Sequence, residues 1–185
     1  MIEAELKARV RHPEDVLAAL ESRAAGRVEI YHDTYYDTPD RELTAGDREL
    51  RVRTVHGQDS TRTVLTYKGA RVDEASGSKP EAETRVEDPA AAHAILRGLG
   101  HVPFLEFEKR CRNYSFEARG RSMLATLVQV PELDGQHFIE LETIVPDEQL
   151  DQALADVRAV LAELGVEDDD LTTEQYTDAV AAARA

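Results

Sequence analysis

Over most of the first 145 residues, apolar and polar positions alternate with a period of two. That is the pattern of strands whose successive side chains point to opposite faces. Strands are predicted at about 2–10, 28–37, 49–56, 62–71, 80–87, 105–116, 122–130 and 137–145. Four helices interrupt or follow them. The first runs from about Pro13 to Arg23, with proline in the first turn, where its missing N–H costs little. The second follows Asp88-Pro89 and stops at Gly98 or Gly100. The third covers about 147–164, where Leu150, Leu154, Val157, Leu161 and Leu164 form one apolar stripe that Gly165 ends. The fourth is predicted to begin near Thr172, since Thr172 and Gln175 have capping-box spacing. The acidic run Glu167–Asp170 between the last two reads as a solvated linker. Val72–Lys79, which carries Asp73, Glu74, Ser76, Gly77 and Ser78, reads as a mobile hairpin connection.

Composition narrows the field. At 185 residues the chain is expected to be one domain over 1–185. A net charge of −15 argues against nucleic-acid binding and against adhesion to anionic membranes. The single cysteine, Cys111, excludes an intramolecular disulfide and a cysteine-rich zinc site. No apolar run approaches the ~20 residues that span a bilayer. The chain opens with acids where a signal peptide needs bases, so a cytoplasmic location is expected. Phosphate-loop, dinucleotide, zinc-protease and serine-hydrolase motifs are absent, and the six histidines lack ligand spacing.

The strands themselves carry unusual chemistry. Glu3, Glu5 and Lys7 share a face opposite Ile2, Ala4 and Leu6. Arg51 and Arg53 lie opposite Leu50 and Val52; Glu81, Glu83 and Arg85 lie opposite Ala82, Thr84 and Val86; Glu140 and Glu142 lie opposite Ile139 and Leu141. Lys68 shares a face with Thr66, and Lys109, Arg110 and Arg112 crowd another strand. One such strand would simply turn its charges to water. Several together place like charges side by side on sheet faces, where they repel. A divalent cation among the acids and a polyanion among the bases would compensate. The expected fold is therefore α+β: an eight-stranded antiparallel closed β-barrel, a tunnel with a charged lumen. Its apolar exterior would be flanked by helices, with those at about 147–184 packing on the barrel. Eight strands leave room for one small ligand.

In chain order, these residues resemble the CYTH family of triphosphate tunnel enzymes, which includes class IV adenylyl cyclases and thiamine triphosphatases. Glu3-Ala-Glu5-Leu-Lys7 is similar to its ExExK signature, and Tyr35-Tyr36-Asp37-Thr38 through Leu50-Arg51-Val52-Arg53 to its YxDT…LRxR stretch. Leu65-Thr66-Tyr67-Lys68, Pro80-Glu81-Ala82-Glu83 and Phe138-Ile139-Glu140-Leu141-Glu142 resemble the later LTxK, ExE and FxExE strands. The resemblance implies that Glu3, Glu5, Glu81, Glu83, Glu140 and Glu142 bind Mg²⁺ or Mn²⁺. It implies that Lys7, Arg51, Arg53 and Lys68 hold phosphate, with Lys79 standing where an arginine is commoner. Glu5, Lys7 and Glu142 are the expected catalytic groups. A late basic strand is also expected to hold phosphate. Lys109-Arg110-Cys111-Arg112 offers two registers for it, and the reading favours Arg110 and Arg112 over Lys109. The cyclases carry an aspartate on the strand before FxExE, and Val128 stands there in this chain. The implied activity is metal-dependent processing of a small-molecule triphosphate, by hydrolysis or by conversion of ATP to cyclic AMP and pyrophosphate. A non-catalytic polyphosphate-binding module is the alternative. Related enzymes are often dimers, which makes a homodimer an expectation of the resemblance.

Overall fold

The computed structural model describes residues 2–73 and 76–185. Eight strands close into one antiparallel barrel in the order β1-β5-β4-β3-β2-β6-β7-β8. They are β1 (Ile2–Val10), β2 (Arg27–Asp37), β3 (Glu49–His56), β4 (Thr61–Lys68), β5 (Lys79–Val86), β6 (Val102–Ala118), β7 (Arg121–Gln129) and β8 (His137–Val145). Each expected strand forms, with β6 longer than its pattern predicted and β4 ending at Lys68. Around them lie α1 (Pro13–Glu21), α2 (Glu42–Ala45), α3 (Pro89–Gly98), α4 (Leu150–Glu163) and α5 (Tyr176–Ala183). None of the described helices is long and apolar enough to cross a membrane.

The outer wall is apolar where helices cover it. Leu6 and Ala8 of β1, Ala125 and Leu127 of β7, and Ile139 and Leu141 of β8 pack under Val16 and Leu20 of α1 and Val157, Val160 and Leu161 of α4. Gly165, at φ +84°, ends the α4 stripe as its position predicted. Asp88 caps α3 by accepting from the Ala91 N–H at 3.0 Å, and Leu96 of that helix packs on Tyr36 and Val52. The cover is incomplete over β2, where outward-facing Val28 is 60% exposed.

Two expectations fail at the C-terminal end. β1 pairs with β8 along its whole length, but with β5 only at Ile2↔Pro80 and Glu3↔Lys79. The rest of that β1 edge would be unpaired. The segment after the acidic run takes part of it: Leu171 bridges to Ala8, and the Thr172 N–H donates to the Lys7 carbonyl at 2.9 Å. Thr172 is therefore used in pairing and does not cap a helix, and α5 starts at Tyr176, with no side-chain cap from Gln175. The acidic run is not a bare linker either. Residues 168–170 form a 3-10 turn closed by a capping box between Glu167 and Asp170.

The lumen also differs from a uniformly charged tunnel. Inward-facing Tyr35, Phe107, Cys111, Val128 and Phe138 form an apolar cluster with Tyr176 and Val180 of α5. Thus α5 closes one end of the barrel with its own apolar side, while the remaining interior stays polar.

Candidate active site

A cavity of about 270 Å³ occupies that polar interior. Its lining includes Glu3, Glu5, Lys7, Arg51, Arg53, Lys68, Lys79, Glu81, Glu83, Lys109, Glu140 and Glu142. Strand alternation brings these expected residues together, and closure of the sheet turns a charged face that would meet water into an inner wall. Ser76, Gly77 and Ser78 contribute from the β4–β5 connection, of which Glu74 lies outside the described residues. Thr172–Thr173 and Gln175–Thr177 contribute from the tail.

Arg110 and Arg112 do not join them. Their side chains are 60% and 47% exposed and pair outside the barrel with Glu108 and Glu21, whereas the Lys109 side chain is 4% exposed and faces in. The register is fixed by Tyr31↔Lys109 and Glu29↔Cys111. It places Phe107, Cys111 and Lys109 on one face, because the apolar members pack beneath α5. The reading that favoured the two arginines is thereby corrected to Lys109.

The acids divide into groups. Carboxylate oxygens of Glu3, Glu5 and Glu142 lie within 4.8 Å of one another. Burial, then Glu140 and Glu3 nearby, push Glu5 up to about 7. Burial and the charges of Glu3 and Glu5 drive Glu142 well above the usual carboxylate range. Lys68 is the resident counter-charge: its Nζ contacts Glu3, lies 3.0 Å from Glu81 and 4.0 Å from Glu5. Burial acts upward on Glu81, but Lys68 outweighs it and holds the carboxyl low. Glu140 stands apart. Burial would raise it too, yet Lys109, Lys7 and Arg53 keep it low. Glu83 accepts from the Thr66 hydroxyl at 2.8 Å. Three crowded hard oxygens, two of them on groups pushed toward protonation, fit a divalent cation.

The bases are held differently. Arg53 forks onto Asp33 at 2.6 and 2.7 Å, and Lys109 lies 3.6 Å from the same carboxylate. Asp33 is 1% exposed; burial acts to raise it, but Arg53 and Lys109 hold it well below the ordinary range. Lys109 itself is lowered by burial and by Arg53. Arg51 is the exception. Its Nε is buried with no hydrogen-bond partner among the described residues, while its terminal nitrogens lie 3.3 Å from Thr66 and 4.0 Å from Glu49. Lys79 is drawn to Asp47 at 2.9 Å. Lys7 donates to the Glu174 carbonyl, and both Lys7 and Lys109 stand over the Tyr176 ring, at 4.6 and 4.7 Å from its centroid. At the far end Arg62 forks onto Glu29, which also accepts from Asn113 at 2.7 Å.

Sequence reasoning missed Asp33, Asp47, Glu29, Arg62 and Tyr176. Asp33 had a signal: Glu29, Tyr31, Asp33 and Tyr35 share one face of β2, which marks a polar inner wall. Tyr176 had none, since a tyrosine at a helix start reads as ordinary packing.

These features define a β-tunnel with opposed acidic and basic walls. The CYTH domain model matches residues 1–176, and the chain belongs to the CYTH family. It is 25% identical over 96% of its length to a Methanocaldococcus jannaschii protein named "putative adenylate cyclase", of which 98% is covered. Among solved structures, the PH1819 protein of Pyrococcus horikoshii superposes with a TM-score of 0.83 at 27% identity, covering 97% of this chain and 98% of that one. A Vibrio parahaemolyticus protein, also named a "putative adenylate cyclase", shares the fold with a TM-score of 0.82 at 20% identity, covering 98% of both chains.

Proposed function

We propose that this chain is a metal-dependent enzyme that hydrolyses a triphosphate inside the tunnel. One observation carries the reading: a single chamber presents the crowded carboxylates of Glu3, Glu5 and Glu142 together with the cationic groups of Arg51, Arg53 and Lys109. Glu3, Glu5 and Glu142 would hold Mg²⁺ or Mn²⁺, with Glu81 behind them through Lys68. When bound, the ion supplies charge neutralisation and activates the attacking oxygen. Phosphoryl transfer asks the protein mainly for position and charge stabilisation. Arg51 meets phosphate oxygens with a guanidinium that has an unpaired, buried Nε. Lys7 and Lys109, held at the Tyr176 ring, add point charges. Arg53 and Lys68 engage by exchanging their acidic partners for phosphate.

Hydrolysis is favoured by β7. Leu124, Thr126 and Val128 are its inward residues, so that strand offers no carboxylate to take the proton of a ribose hydroxyl. A second reading, ATP cyclisation, is favoured by the name of the Methanocaldococcus jannaschii relative.

The test is product analysis with ATP, tripolyphosphate and thiamine triphosphate in Mg²⁺ or Mn²⁺. Inorganic phosphate supports hydrolysis, and cyclic AMP with pyrophosphate supports the second reading. Tight binding without product would leave a binding module in place of both.

A further inference from the structure

The outer wall carries a cluster that the tunnel does not use. His32 of β2 and His56 of β3 are far apart in sequence, but the barrel register pairs Ile30 with His56 and His32 with Thr54. The two histidines therefore stand diagonally on neighbouring strands. Both point outward, since their neighbours Tyr31 and Val55 line the tunnel. Their ring centroids are 5.0 Å apart. On the other side of His32, β6 places Glu108 directly opposite, with a carboxylate oxygen 3.9 Å from the His32 Nε2.

The ring separation suits a shared ion. A metal about 2.0–2.1 Å from an imidazole nitrogen sits roughly 3.2 Å from the ring centre, so two rings on one tetrahedral ion have centres about 5 Å apart. Each ring also has one nitrogen beside an oxygen. The His56 Nδ1 lies 3.3 Å from the Thr61 hydroxyl, and the His32 Nε2 faces Glu108. The opposite nitrogens, His56 Nε2 and His32 Nδ1, have no hydrogen-bond partner among the described residues. An oxygen behind a ligating histidine, fixing its ring and tautomer, is a usual companion of a metal site. Arg110 takes the other Glu108 oxygen at 3.1 Å and leaves this one to His32. The His32 side chain is 55% exposed, so an ion reaches it from solvent and water completes the shell.

We infer that His32 and His56 form an exterior metal site for a borderline divalent transition ion, Zn²⁺ or Ni²⁺, with Thr61 and Glu108 orienting the two rings. Imidazole nitrogens select such ions, whereas the carboxylates of the tunnel suit harder ones. The site joins β2 to β3 on the outside of the barrel. It needs nothing bound in the tunnel and stands independently of the triphosphate reading.

Calorimetric titration of the EDTA-stripped full chain with Zn²⁺, in excess Mg²⁺, tests this in wild type, His32→Gln, His56→Gln and Glu5→Gln. His12→Gln, at an exposed histidine elsewhere, is the control. Wild type should take up Zn²⁺ at a site that Glu5→Gln and His12→Gln keep. Either of the other histidine variants should weaken it at least tenfold, since loss of an orienting group alone costs about that much. His32 and His56 are exposed, so their variants should melt with wild type when metal-free. In NMR spectra, Zn²⁺ should shift the ring signals of His32 and His56 ahead of those of the other histidines. The inference is overturned if wild type takes up no Zn²⁺ in excess Mg²⁺, or if either His32→Gln or His56→Gln binds it as wild type does. Uptake that is lost only in Glu5→Gln places the ion in the tunnel and overturns the inference equally.

Discussion

If Glu3, Glu5 and Glu142 are crowded for the sake of a cation, the metal-free protein bears the cost of their repulsion, and removing one charge should stabilise it. Glu5→Gln keeps the side-chain volume and deletes the charge. Two routes give the size. Unit charges within 4.8 Å repel by about 3.5 kcal/mol per pair at an effective dielectric near 20. Independently, raising Glu5 from 4.5 to about 7 corresponds to roughly 3 kcal/mol between its two protonation states. Desolvation is the largest cause of that shift, with Glu140 and Glu3 next, so relief should approach this figure without exceeding it.

The sign follows from linkage. Glu5 holds its proton more tightly folded than unfolded, so stability falls as pH rises from about 4.5 to 7 and stays reduced above. Thermal unfolding in EDTA should show Glu5→Gln melting on the order of 5–10 °C above wild type at pH 8, given roughly 2–4 °C per kcal/mol for a chain of this size. The gap should shrink steadily below pH 7 and vanish toward pH 4.5. Excess Mn²⁺ should close most of the gap. Wild type should gain about 2.7 kcal/mol at a hundredfold excess over Kd, and the variant should gain little. A variant that is less stable than wild type in EDTA at pH 8, or that gains as much from Mn²⁺, refutes both the crowding and its purpose.

Other outcomes follow from the basic wall. Arg51→Ala should weaken tripolyphosphate binding at least tenfold by calorimetry, whereas Arg110→Ala, on the outer surface, should leave it unchanged. Asp33→Asn strands a buried arginine and should cost about 3–5 kcal/mol in urea unfolding. Because Asp33 is held low, its contribution is full above the unfolded value of about 3.9 and is lost as pH falls through the folded one, so the variant's deficit should narrow in acid. Tyr176→Phe keeps the ring under Lys7 and Lys109 and should bind tripolyphosphate like wild type, while Tyr176→Leu should bind it several-fold more weakly. Val180→Ala, in the same apolar cluster but lining no part of the cavity, should lower the melting temperature and spare binding.

The barrel was legible because period-two alternation survives whichever face is buried. Which face turned inward was legible only where charges repeated, as in Glu3-x-Glu5 and Glu140-x-Glu142. β6 obeyed the opposite logic. Its inward set, Phe107, Lys109 and Cys111, is mostly apolar because α5 fills that end of the lumen. The ordinary rule of greasy residues inward would have chosen Lys109, while the charge-inward rule chose Arg110 and Arg112. One barrel uses both rules because its interior is half tunnel and half core, and no local pattern announces where a helix from the far end of the chain will seat. Tyr176 and the Leu171 bridge to β1 were hidden for the same reason: each answers a need created elsewhere, by the lysines and by the edge that β5 leaves open.

The counter-charges explain how such an interior can fold empty. A buried arginine or lysine without a partner costs several kcal/mol. Nearly every inward base is accordingly paired with an acid: Arg53 with Asp33, Arg62 with Glu29, Lys79 with Asp47, Lys68 with Glu3 and Glu81. On the proposed function, phosphate would exchange for carboxylate at these bases, and its affinity would depend on the difference between the two. On the same reading, Arg51, whose guanidinium has only Thr66 at 3.3 Å and Glu49 at 4.0 Å as hydrogen-bonding or ion-pairing contacts among the described residues, gives up least and is the natural first anchor. The overall charge of −15 fits this arrangement, because acids that park the bases count in the total while leaving the tunnel able to take an anion. Beyond a Debye length of about 8 Å that net charge repels large polyanions only weakly and is screened; inside the barrel, local pairing decides. An acidic chain can therefore accept a single small polyphosphate within.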